Sequence, residues 1–332
     1  MASKEHMHEI DMPSFRTLKV IVIIPALNEE LTIKQTIDEI RSCRLTAAAA
    51  VILDVSIWVI DGGSTDSTRE ICYAQEVKTI IQKGKGKGNA MREAIEKLKT
   101  EIADIVIFMD GDATYCPSDL GRLISPLLNN EADMVVGSRF LGSKEKGSMS
   151  VLNMIGNKIF NRTINFSMSS SITDSLSGFR ALNVEVLKQL ILFSGAFEIE
   201  VEMTVEVLSK GYRVLEVPID YKARKRPSDT KLNPVNDGLK IARTLIFILM
   251  NINPLKFFGV LSLGFFAVAL WPTSQVFYEK LFHGHIVSIP AVVLSALLVI
   301  TAVLSIVMGM LAELVVRSRR RLEFMISNKR IE

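Results

Sequence analysis

The sequence has few cysteines, and they lie in no pattern that would build a stabilising site. Cys43, Cys72 and Cys116 are odd in number, form no C-x-x-C pair and have no histidine cluster beside them. This excludes a disulfide framework and a structural zinc site as the basis of the fold. The same usage is typical of a protein in a reducing compartment.

An excess of charge of one sign is also missing. The chain has 332 residues, in which 39 Lys and Arg nearly balance 36 Asp and Glu, so its formal net charge is only +3. A general nucleic-acid binder carries a larger basic excess, and we therefore expect no nucleic-acid partner. We expect no cleavable signal peptide either, because residues 1–19 lack an apolar stretch, and we interpret residues 1–17 as a polar tail.

Charged residues are absent from two long segments near the C-terminal end. Residues 257–278 and 286–312 contain no Asp, Glu, Lys or Arg. Each segment is longer than the roughly 20 residues that a helix needs to cross a bilayer. Buried core helices are the alternative, but these are usually shorter and amphipathic. We therefore predict two transmembrane helices in an integral membrane protein.

The charges beside these segments predict their orientation. Three basic residues lie between 240 and 256, before the first segment, and four arginines lie between 317 and 321, after the second. Under the positive-inside rule, the large N-terminal part and the basic tail 313–332 both face the cytoplasm. Residues 236–256 mix basic and apolar side chains, which favours an amphipathic helix at the membrane interface. Ordinary packing against the N-terminal part is the alternative for this segment.

Between residues 18 and 235, short runs rich in Val and Ile alternate with helical patterns. The predicted strands are residues 19–24, 52–60, 77–81, 105–109 and 134–136. The apolar positions at helical spacing are Ile33, Ile37 and Ile40 after the first strand, and Met91, Ala94, Ile95 and Leu98 after the third. Strands that alternate with helices predict an α/β fold, Rossmann-like, with a mostly parallel sheet covered on both faces.

Polar segments follow three of the predicted strands. Residues 25–30 come after the first strand, residues 61–68 after the second, and Asp110-Gly111-Asp112 after the fourth. In an open parallel sheet, ligands bind beyond the carboxyl ends of the strands, so we expect these segments to meet at one edge. Each segment alone is also compatible with a turn. Asn28, in the first of them, is expected to cap the following helix.

The pair of aspartates is the most specific of these features. Asp110 and Asp112 are separated by one glycine at the end of a buried strand. Carboxylate oxygens in this position suit Mg²⁺ or Mn²⁺, which keep several waters and usually bridge to the phosphates of a substrate. We therefore predict a metal–diphosphate site at Asp110 and Asp112. The alternative is an ordinary Asp-Gly turn.

Basic residues form a second group of candidates. Residues 82–89 alternate Lys with Gly at the predicted start of a helix, where backbone amides favour an anion. A solvated basic loop is the alternative for this segment. Further along the chain, a basic run covers residues 221–226, and Lys231 follows it. Anionic lipid headgroups are an alternative ligand for this run, but for Arg224 and Lys231 we favour the substrate.

Together these motifs resemble the family 2 glycosyltransferases of the polyprenyl-phosphate type, such as the dolichyl-phosphate mannose and glucose synthases. The matching segments are residues 25–30, 61–68, 84–92, 110–112, 137–139, 177–181, 216–218 and 224–232, which follow the order of the family. The resemblance implies a GT-A fold, a nucleotide-sugar donor, a divalent metal and a dolichyl or other polyprenyl phosphate as the acceptor. It implies a reaction at a lipid bilayer and leaves an oligomer open.

The resemblance also implies roles for individual residues. The nucleotide would be bound by Pro25, Asn28, Glu29, Asp61, Lys87 and Asp110. The metal ligands would be Asp110 and Asp112. The phosphate groups of the acceptor or the leaving group would be bound by Arg139, Ser177, Arg224 and Lys231. The residues implied in catalysis are Asp112, Arg139, Arg224 and Lys231.

Two departures from the family pattern concern the substrates. Mannose synthases commonly continue the aspartate motif with a Gln that joins the metal site, whereas this chain has Ala113-Thr114-Tyr115. Their acceptor loop usually carries Arg and Ser, whereas the comparable stretch here offers Asn153, Asn157 and Lys158. We therefore favour a UDP-sugar over GDP-mannose as the donor. Because a lipid phosphate is already an anion at neutral pH, we expect a direct in-line displacement with inversion.

Other classes of protein are weaker alternatives. A processive polysaccharide synthase shares the GT-A core but should carry a Gln-x-x-Arg-Trp motif, and Trp58 and Trp271 lack that context. A sugar nucleotidyltransferase should have a Gly-rich pyrophosphate loop after the first strand, which is absent. A non-catalytic nucleotide-binding membrane scaffold would not need the intact pair of aspartates.

Overall fold

The structure is a computed structural model of the chain, and its described residues form two compact units. These residues are 16–43, 51–145, 147–149, 151–192, 199–224, 246, 249, 250 and 253–328. The first unit takes those within Met1–Asn161 and Ile172–Asp229, and the second takes those within Arg162–Ser171 and Thr230–Glu332. Residues 1–15 of the predicted N-terminal tail, Lys231 and most of the predicted interfacial helix lie outside the described residues, whereas Arg16 and Thr17 of that tail belong to the first strand.

Seven strands form one sheet in the first unit. They are β1 (Arg16–Ala26), β2 (Val51–Asp61), β3 (Lys78–Ile81), β4 (Ile105–Phe108), β5 (Met134–Ser138), β6 (Arg180–Asn183) and β7 (Val214–Pro218). Their order across the sheet is β3-β2-β1-β4-β6-β5-β7. Only β6 runs antiparallel to its neighbours among these strands. The carboxyl ends of the other six therefore lie at one edge, together with the amino end of β6.

This sheet confirms the prediction of a mostly parallel α/β fold. Each of the five predicted strands is present within one to three residues of its predicted ends. β6 and β7 are not predicted from the sequence, because they are short and contain polar residues (Arg-Ala-Leu-Asn and Val-Leu-Glu-Val-Pro). The antiparallel β6 brings the segment before Arg180 to the same edge as the aspartate pair.

Seven α-helices accompany the sheet in the described ranges up to residue 224, together with a short 3-10 helix at Pro117–Asp119. They are α1 (Ile33–Ser42), α2 (Thr68–Ala74), α3 (Lys87–Leu98), α4 (Leu120–Leu128), α5 (Val151–Met168), α6 (Val184–Lys188) and α7 (Ile199–Ser209). The apolar faces of these helices other than α5 form two cores on opposite sides of the sheet, because side chains alternate along β1. Val20 and Val22 share one core with Ile37 of α1, whereas Ile21 shares the other with Met91 of α3. The predicted helical stripes are thereby confirmed.

The second unit contains α8 (Pro254–His283) and α9 (Ile289–Asn328). Among the described residues, Pro254–His283 and Ile289–Arg319 are long and apolar enough to cross a membrane. The two helices pack closely, since Ser262 Oγ donates to Ala302 O at 2.7 Å and a Cβ on Gly309 would lie 2.8 Å from Phe258 Cβ. α9 begins at Ile289, three residues after the start of the predicted segment.

Candidate active site

The loops that follow β1, β2 and β4 are joined by hydrogen bonds at the carboxyl edge of the sheet. Asn28 N donates to Ser64 Oγ at 2.9 Å, and Thr65 N donates to Asn28 Oδ1 at 2.9 Å. Thr32 Oγ1 donates to Gly111 O, also at 2.9 Å. The predicted meeting of three polar segments at one edge is therefore confirmed.

Asn28 has a local role that differs from the predicted one. The N-cap position of α1 is taken by Thr32, so the prediction that Asn28 caps this helix is wrong. Asn28 has a φ of 57°, in the left-handed region that Asn tolerates better than most residues other than Gly. The turn places its side chain on the β2 loop instead. Pro25, also predicted to bind the nucleotide, lies in β1 opposite Ile60.

Asp61 lies beneath the loop that follows β2. Its side chain is fully buried, and its carboxylate accepts hydrogen bonds from Gly63 N and Ser64 N, both at 3.1 Å. Gly63 has a φ of 89°, which glycine adopts without strain. Asp61 therefore shapes the backbone of this loop and supports the site from behind.

Asp110 lies against a lysine that is itself held by a second carboxylate. Lys87 Nζ, at the start of α3, is 2.5 Å from Asp110 Oδ1 and 2.7 Å from Glu200 Oε1. Burial alone would lower the pKa of Lys87, but the charges of Asp110 and Glu200 raise it above its usual value. Glu200 is not predicted from the sequence. Its only signal there is an acidic residue between Ile199 and Val201.

Asp112 and Glu29 are both paired with Arg224. Asp112 Oδ1 accepts from Thr114 Oγ1 at 2.6 Å, and Asp112 Oδ2 lies 3.3 Å from Arg224 Nε. Arg224 NH2 donates to Glu29 Oε1 at 2.7 Å. Burial, and then the charge of Asp110, raise the pKa of Asp112. Burial also raises the pKa of Glu29.

The two aspartates fit a metal site that a substrate completes. Among the described residues, no group of three or more His, Cys, Asp or Glu side chains could hold a metal ion alone. Mg²⁺ commonly binds through one or two carboxylates when phosphates supply further oxygens. The side chains of Asp110 and Asp112 are 28% and 13% exposed, and they lie close enough for the charge of one to raise the pKa of the other. A divalent cation would relieve this repulsion.

Arg139, which follows β5, is held by the buried Asp174. Arg139 Nε and NH2 donate to the two carboxylate oxygens of Asp174 at 2.8 and 2.7 Å. Asn157 Nδ2 donates to the same carboxylate at 2.6 Å, and Asp174 N donates to Glu216 Oε1 at 2.8 Å. This two-point pairing fixes the plane of the guanidinium at the edge of the sheet.

Ser177 lies behind the edge rather than on it. Its side chain is fully buried, and its hydroxyl donates to Gly137 O at 2.6 Å, so in this arrangement it is not available to a phosphate. Arg180, in the same segment, is also fully buried and donates to Ser177 O at 2.5 Å and to Glu200 O at 2.7 Å. These two side chains fix the backbone before β6.

Tyr115 joins the aspartate loop to the segment before β6. Its hydroxyl accepts a hydrogen bond from Gly178 N at 2.9 Å. The centroid of its ring lies 5.2 Å from that of Phe179 and 5.3 Å from that of Tyr221. Burial raises the pKa of Tyr115. In the sequence, Tyr115 is notable only as part of Ala113-Thr114-Tyr115, where mannose synthases commonly have a Gln. In the structure, it connects the aspartate loop to the segment before β6.

Comparisons with known proteins concern the family and the fold of the chain. The family model of glycosyl transferase family 2 matches residues 21–191, just over half of the chain. The glycosyltransferase AglJ of Haloferax volcanii is 36% identical over 260 residues, which are 78% of this chain and 82% of that protein. A dolichyl-phosphate hexose transferase of the same organism is 30% identical over 225 residues, which are 68% of this chain and 91% of that protein.

A solved structure shares the fold. It is the glucosyl-3-phosphoglycerate synthase of Mycobacterium tuberculosis in complex with Mn²⁺, UDP and glucosyl-3-phosphoglycerate. The likeness has a TM-score of 0.51 at 22% identity and covers 70% of this chain and 79% of that one. It supports a GT-A-like fold for the first unit. On the family model, these relatives and this fold, the chain belongs to glycosyl transferase family 2 and is a glycosyltransferase.

Proposed function

We propose that this enzyme transfers a hexose from a nucleotide sugar to dolichyl or another polyprenyl phosphate. The observation that carries the proposal is that a pair of carboxylates and a pair of guanidinium groups lie at the same edge of the sheet. Asp110 and Asp112 supply carboxylates that suit a cation on a diphosphate, and Arg139 and Arg224 supply guanidinium groups that suit a phosphate. The similarity to a dolichyl-phosphate hexose transferase supports the same pairing of donor and acceptor.

The chemistry of the acceptor decides what the protein must supply. A lipid monophosphate is largely ionised at neutral pH, because its second pKa is about 6, so it needs no strong general base. The protein must instead align two anionic reactants and neutralise the departing diphosphate. Asp110 and Asp112 would hold a Mg²⁺ or Mn²⁺ ion, which supplies Lewis-acid stabilisation of that leaving group.

The other site residues would bind and orient the two substrates. The nucleotide would lie against the β1 and β2 loops, which Asn28 and Asp61 hold in shape and Glu29 borders. Arg139 would attract the acceptor phosphate, together with Arg224 and with Lys231, which lies outside the described residues. Attack of the acceptor oxygen in line with the departing diphosphate inverts the configuration at the anomeric carbon.

We favour a UDP-sugar over GDP-mannose as the donor. The sequence after the aspartates is Ala113-Thr114-Tyr115, without the Gln that mannose synthases commonly carry there. The mycobacterial enzyme with the same fold binds UDP and Mn²⁺, which supports this preference. In the full chain, α8 and α9 would cross the membrane with the catalytic part and both termini in the cytoplasm, because the basic residues flank the two spans on that side.

A panel of donors tests the proposal. Membranes that contain the full chain are incubated with polyprenyl phosphate and radiolabelled UDP- and GDP-sugars, and the lipid extract is counted. We expect a lipid-linked sugar from one UDP-sugar, with the inverted anomeric configuration in its NMR spectrum. Asp112→Asn should lower the rate at least ~100-fold, because charge stabilisation of the leaving group is lost.

The matched control for this experiment is Asp38→Asn. Asp38 is an exposed aspartate of α1 that pairs with Lys34, away from the sheet edge, so its loss should leave the rate unchanged. Failure to form a lipid product from any donor would contradict the proposed acceptor. Unchanged transfer by Asp112→Asn would contradict the role of the aspartates, and sugar polymer in place of a lipid-linked monosaccharide would favour a processive synthase.

A further inference from the structure

The ammonium group of Lys87 has a carboxylate partner that does not belong to the loops at the sheet edge. Glu200 lies in the first turn of α7, and its Oε1 is 2.7 Å from Lys87 Nζ. The other partner of the ammonium is Asp110, whose Oδ1 lies 2.5 Å from Lys87 Nζ. Three charged groups thus follow one another from the edge inward, in the order Asp110, Lys87 and Glu200.

Glu200 is too deeply buried to touch a substrate. Its side chain is 2% exposed, compared with 15% for Lys87 and 28% for Asp110. Its backbone carbonyl accepts a hydrogen bond from Arg180 NH1 at 2.7 Å, and Arg180 is itself fully buried. The position of this carboxylate is therefore fixed by the fold. Its second oxygen, Oε2, is buried without a hydrogen-bond partner among the described residues, so the carboxylate interacts with the two cations beside it, Lys87 and Arg180.

The backbone at Gly178 confines the lysine to this position. A Cβ on Gly178 would lie 2.8 Å from Lys87 Nζ and 2.9 Å from Asp110 Oδ2. Gly178 N is in turn held by Tyr115, whose hydroxyl accepts its hydrogen bond at 2.9 Å. Lys87 therefore has its charge enclosed between two carboxylates and a fixed stretch of backbone.

The count of charges shows what Glu200 contributes. Lys87 alone would neutralise Asp110 and weaken the attraction of the aspartate pair for a cation. Asp110, Asp112, Glu29 and Glu200 bring four negative charges to this cluster, and Lys87, Arg224 and the buried Arg180 bring three positive ones. One negative charge therefore remains to attract a cation, and the cluster would be neutral without Glu200. The contact between Glu200 and Lys87 also holds the ammonium at one point, which fixes the orientation of the Asp110 carboxylate.

We propose that Glu200 is a positioning residue for the metal–diphosphate site and acts on Asp110 through Lys87. This inference rests on the proposed function, because it takes a divalent cation as the ligand of Asp110 and Asp112. It assigns Lys87 to the support of Asp110 and not to direct contact with the nucleotide. It also assigns a function to Glu200, a buried acidic residue that is distant in sequence from Asp110 and Asp112.

The test is the affinity of the purified full chain for Mn²⁺ in the presence of UDP. Free Mn²⁺ is measured by its electron paramagnetic resonance signal during a titration, so the readout is binding and not turnover. Glu200→Gln should weaken Mn²⁺ binding by ~10- to 100-fold, as is typical when a residue that supports a metal ligand is lost. Glu185→Gln, which removes the same charge from an exposed glutamate of α6 that pairs with Lys188, should leave the affinity unchanged.

A double variant separates positioning from general damage to the fold. In a chain that carries Lys87→Met, the further change Glu200→Gln should have no effect on Mn²⁺ affinity, because the residue through which it acts is gone. Glu200→Asp, which keeps the charge but withdraws it by one methylene group, should give an intermediate affinity. It also provides the measurement if Glu200→Gln does not fold, as judged by circular dichroism.

The outcomes distinguish this inference from the function on which it rests. If the unaltered chain binds Mn²⁺ but Glu200→Gln binds it equally well, the positioning role is overturned and the metal site stands. An equal loss with and without Lys87 would likewise overturn it, since the effect would not pass through the lysine. If the unaltered chain with UDP binds no Mn²⁺, the proposed metal site fails and the inference fails with it.

Discussion

The two halves of the sheet edge present opposite charges by the same construction. On the side of β1 to β4, Asp110 is the more exposed member of a pair with Lys87, at 28% against 15%. On the side of β5 to β7, Arg139 is the more exposed member of a pair with Asp174, at 12% against 0%. In each half, a deeper charge of opposite sign orients the outer one. A charged group can therefore face a ligand in a fixed direction without losing its counter-ion.

The halves differ in what lies behind the deeper charge. Lys87 is backed by Glu200, a second carboxylate, so the first half keeps an excess of negative charge. Asp174 also has a carboxylate beside it, since its backbone N–H donates to Glu216 Oε1, but its own carboxylate accepts from neutral donors, Asn157 Nδ2 and the backbone N–H of Arg139, as well as from the guanidinium. The first arrangement suits a divalent cation, and the second suits a single phosphate. The outer groups, two aspartates in the first half and an arginine in the second, thus indicate the ligand that each half prefers.

Outside the metal site, we expect the largest loss of stability and of acceptor binding when the buried carboxylate of Asp174 is removed. Asp174→Asn leaves the guanidinium of Arg139 buried without its anion, which should cost about 3 kcal/mol of unfolding free energy. The KM for the lipid phosphate should rise more than the KM for the donor. Both are measured on the purified chain, by denaturant unfolding and by initial rates.

An exposed pair of the same kind serves as the control. Asp133 pairs with Arg213, and the side chain of this arginine is 50% exposed, so Asp133→Asn should destabilise far less and leave both KM values unchanged. Equal losses of stability in the two variants would contradict the importance of burial. A rise in the KM of the donor alone would contradict the assignment of Arg139 to the acceptor half.

The smallest effect is expected from Ser177→Ala. This change removes the buried hydrogen bond to Gly137 O at 2.6 Å and a longer one from Phe179 N at 3.4 Å, and should cost about 1 kcal/mol of stability. Because the hydroxyl lies behind the edge, the KM for the acceptor should change little in initial-rate measurements. A rise of tenfold or more in that KM would show that Ser177 contacts the phosphate directly, as the family resemblance implies, and would require a rearrangement of its loop.

The sequence predicts the partly exposed residues of the site, such as Asp110 and Asp112, better than the buried residues that support them. Asp110 and Asp112 directly follow an apolar strand, and polar segments follow two more, so local patterns suffice to place them at one edge. Glu200 and Asp174 reach the site only through the packing of distant segments, on α7 and before β6. A single sequence carries no local signal for such a pairing.

The errors in local structure also have a physical cause. Asn28 is as suitable for a helix cap as for a left-handed turn, and only the course of the chain between β1 and α1 decides between them. β6 and β7 are short and carry polar side chains that bond residues of the site: Arg180 donates to Ser177 O, and Glu216 accepts from Asp174 N. In both cases the residue type is compatible with two structures, and long-range contacts select one.

The central claim is that Asp110 and Asp112 bind a divalent cation that offsets the charge of the departing nucleoside diphosphate. Its most direct test is the rate of sugar transfer to polyprenyl phosphate by the full chain in EDTA, and again after Mn²⁺ or Mg²⁺ is restored. We expect EDTA to abolish transfer and either metal to restore it. An undiminished rate in EDTA would contradict the account.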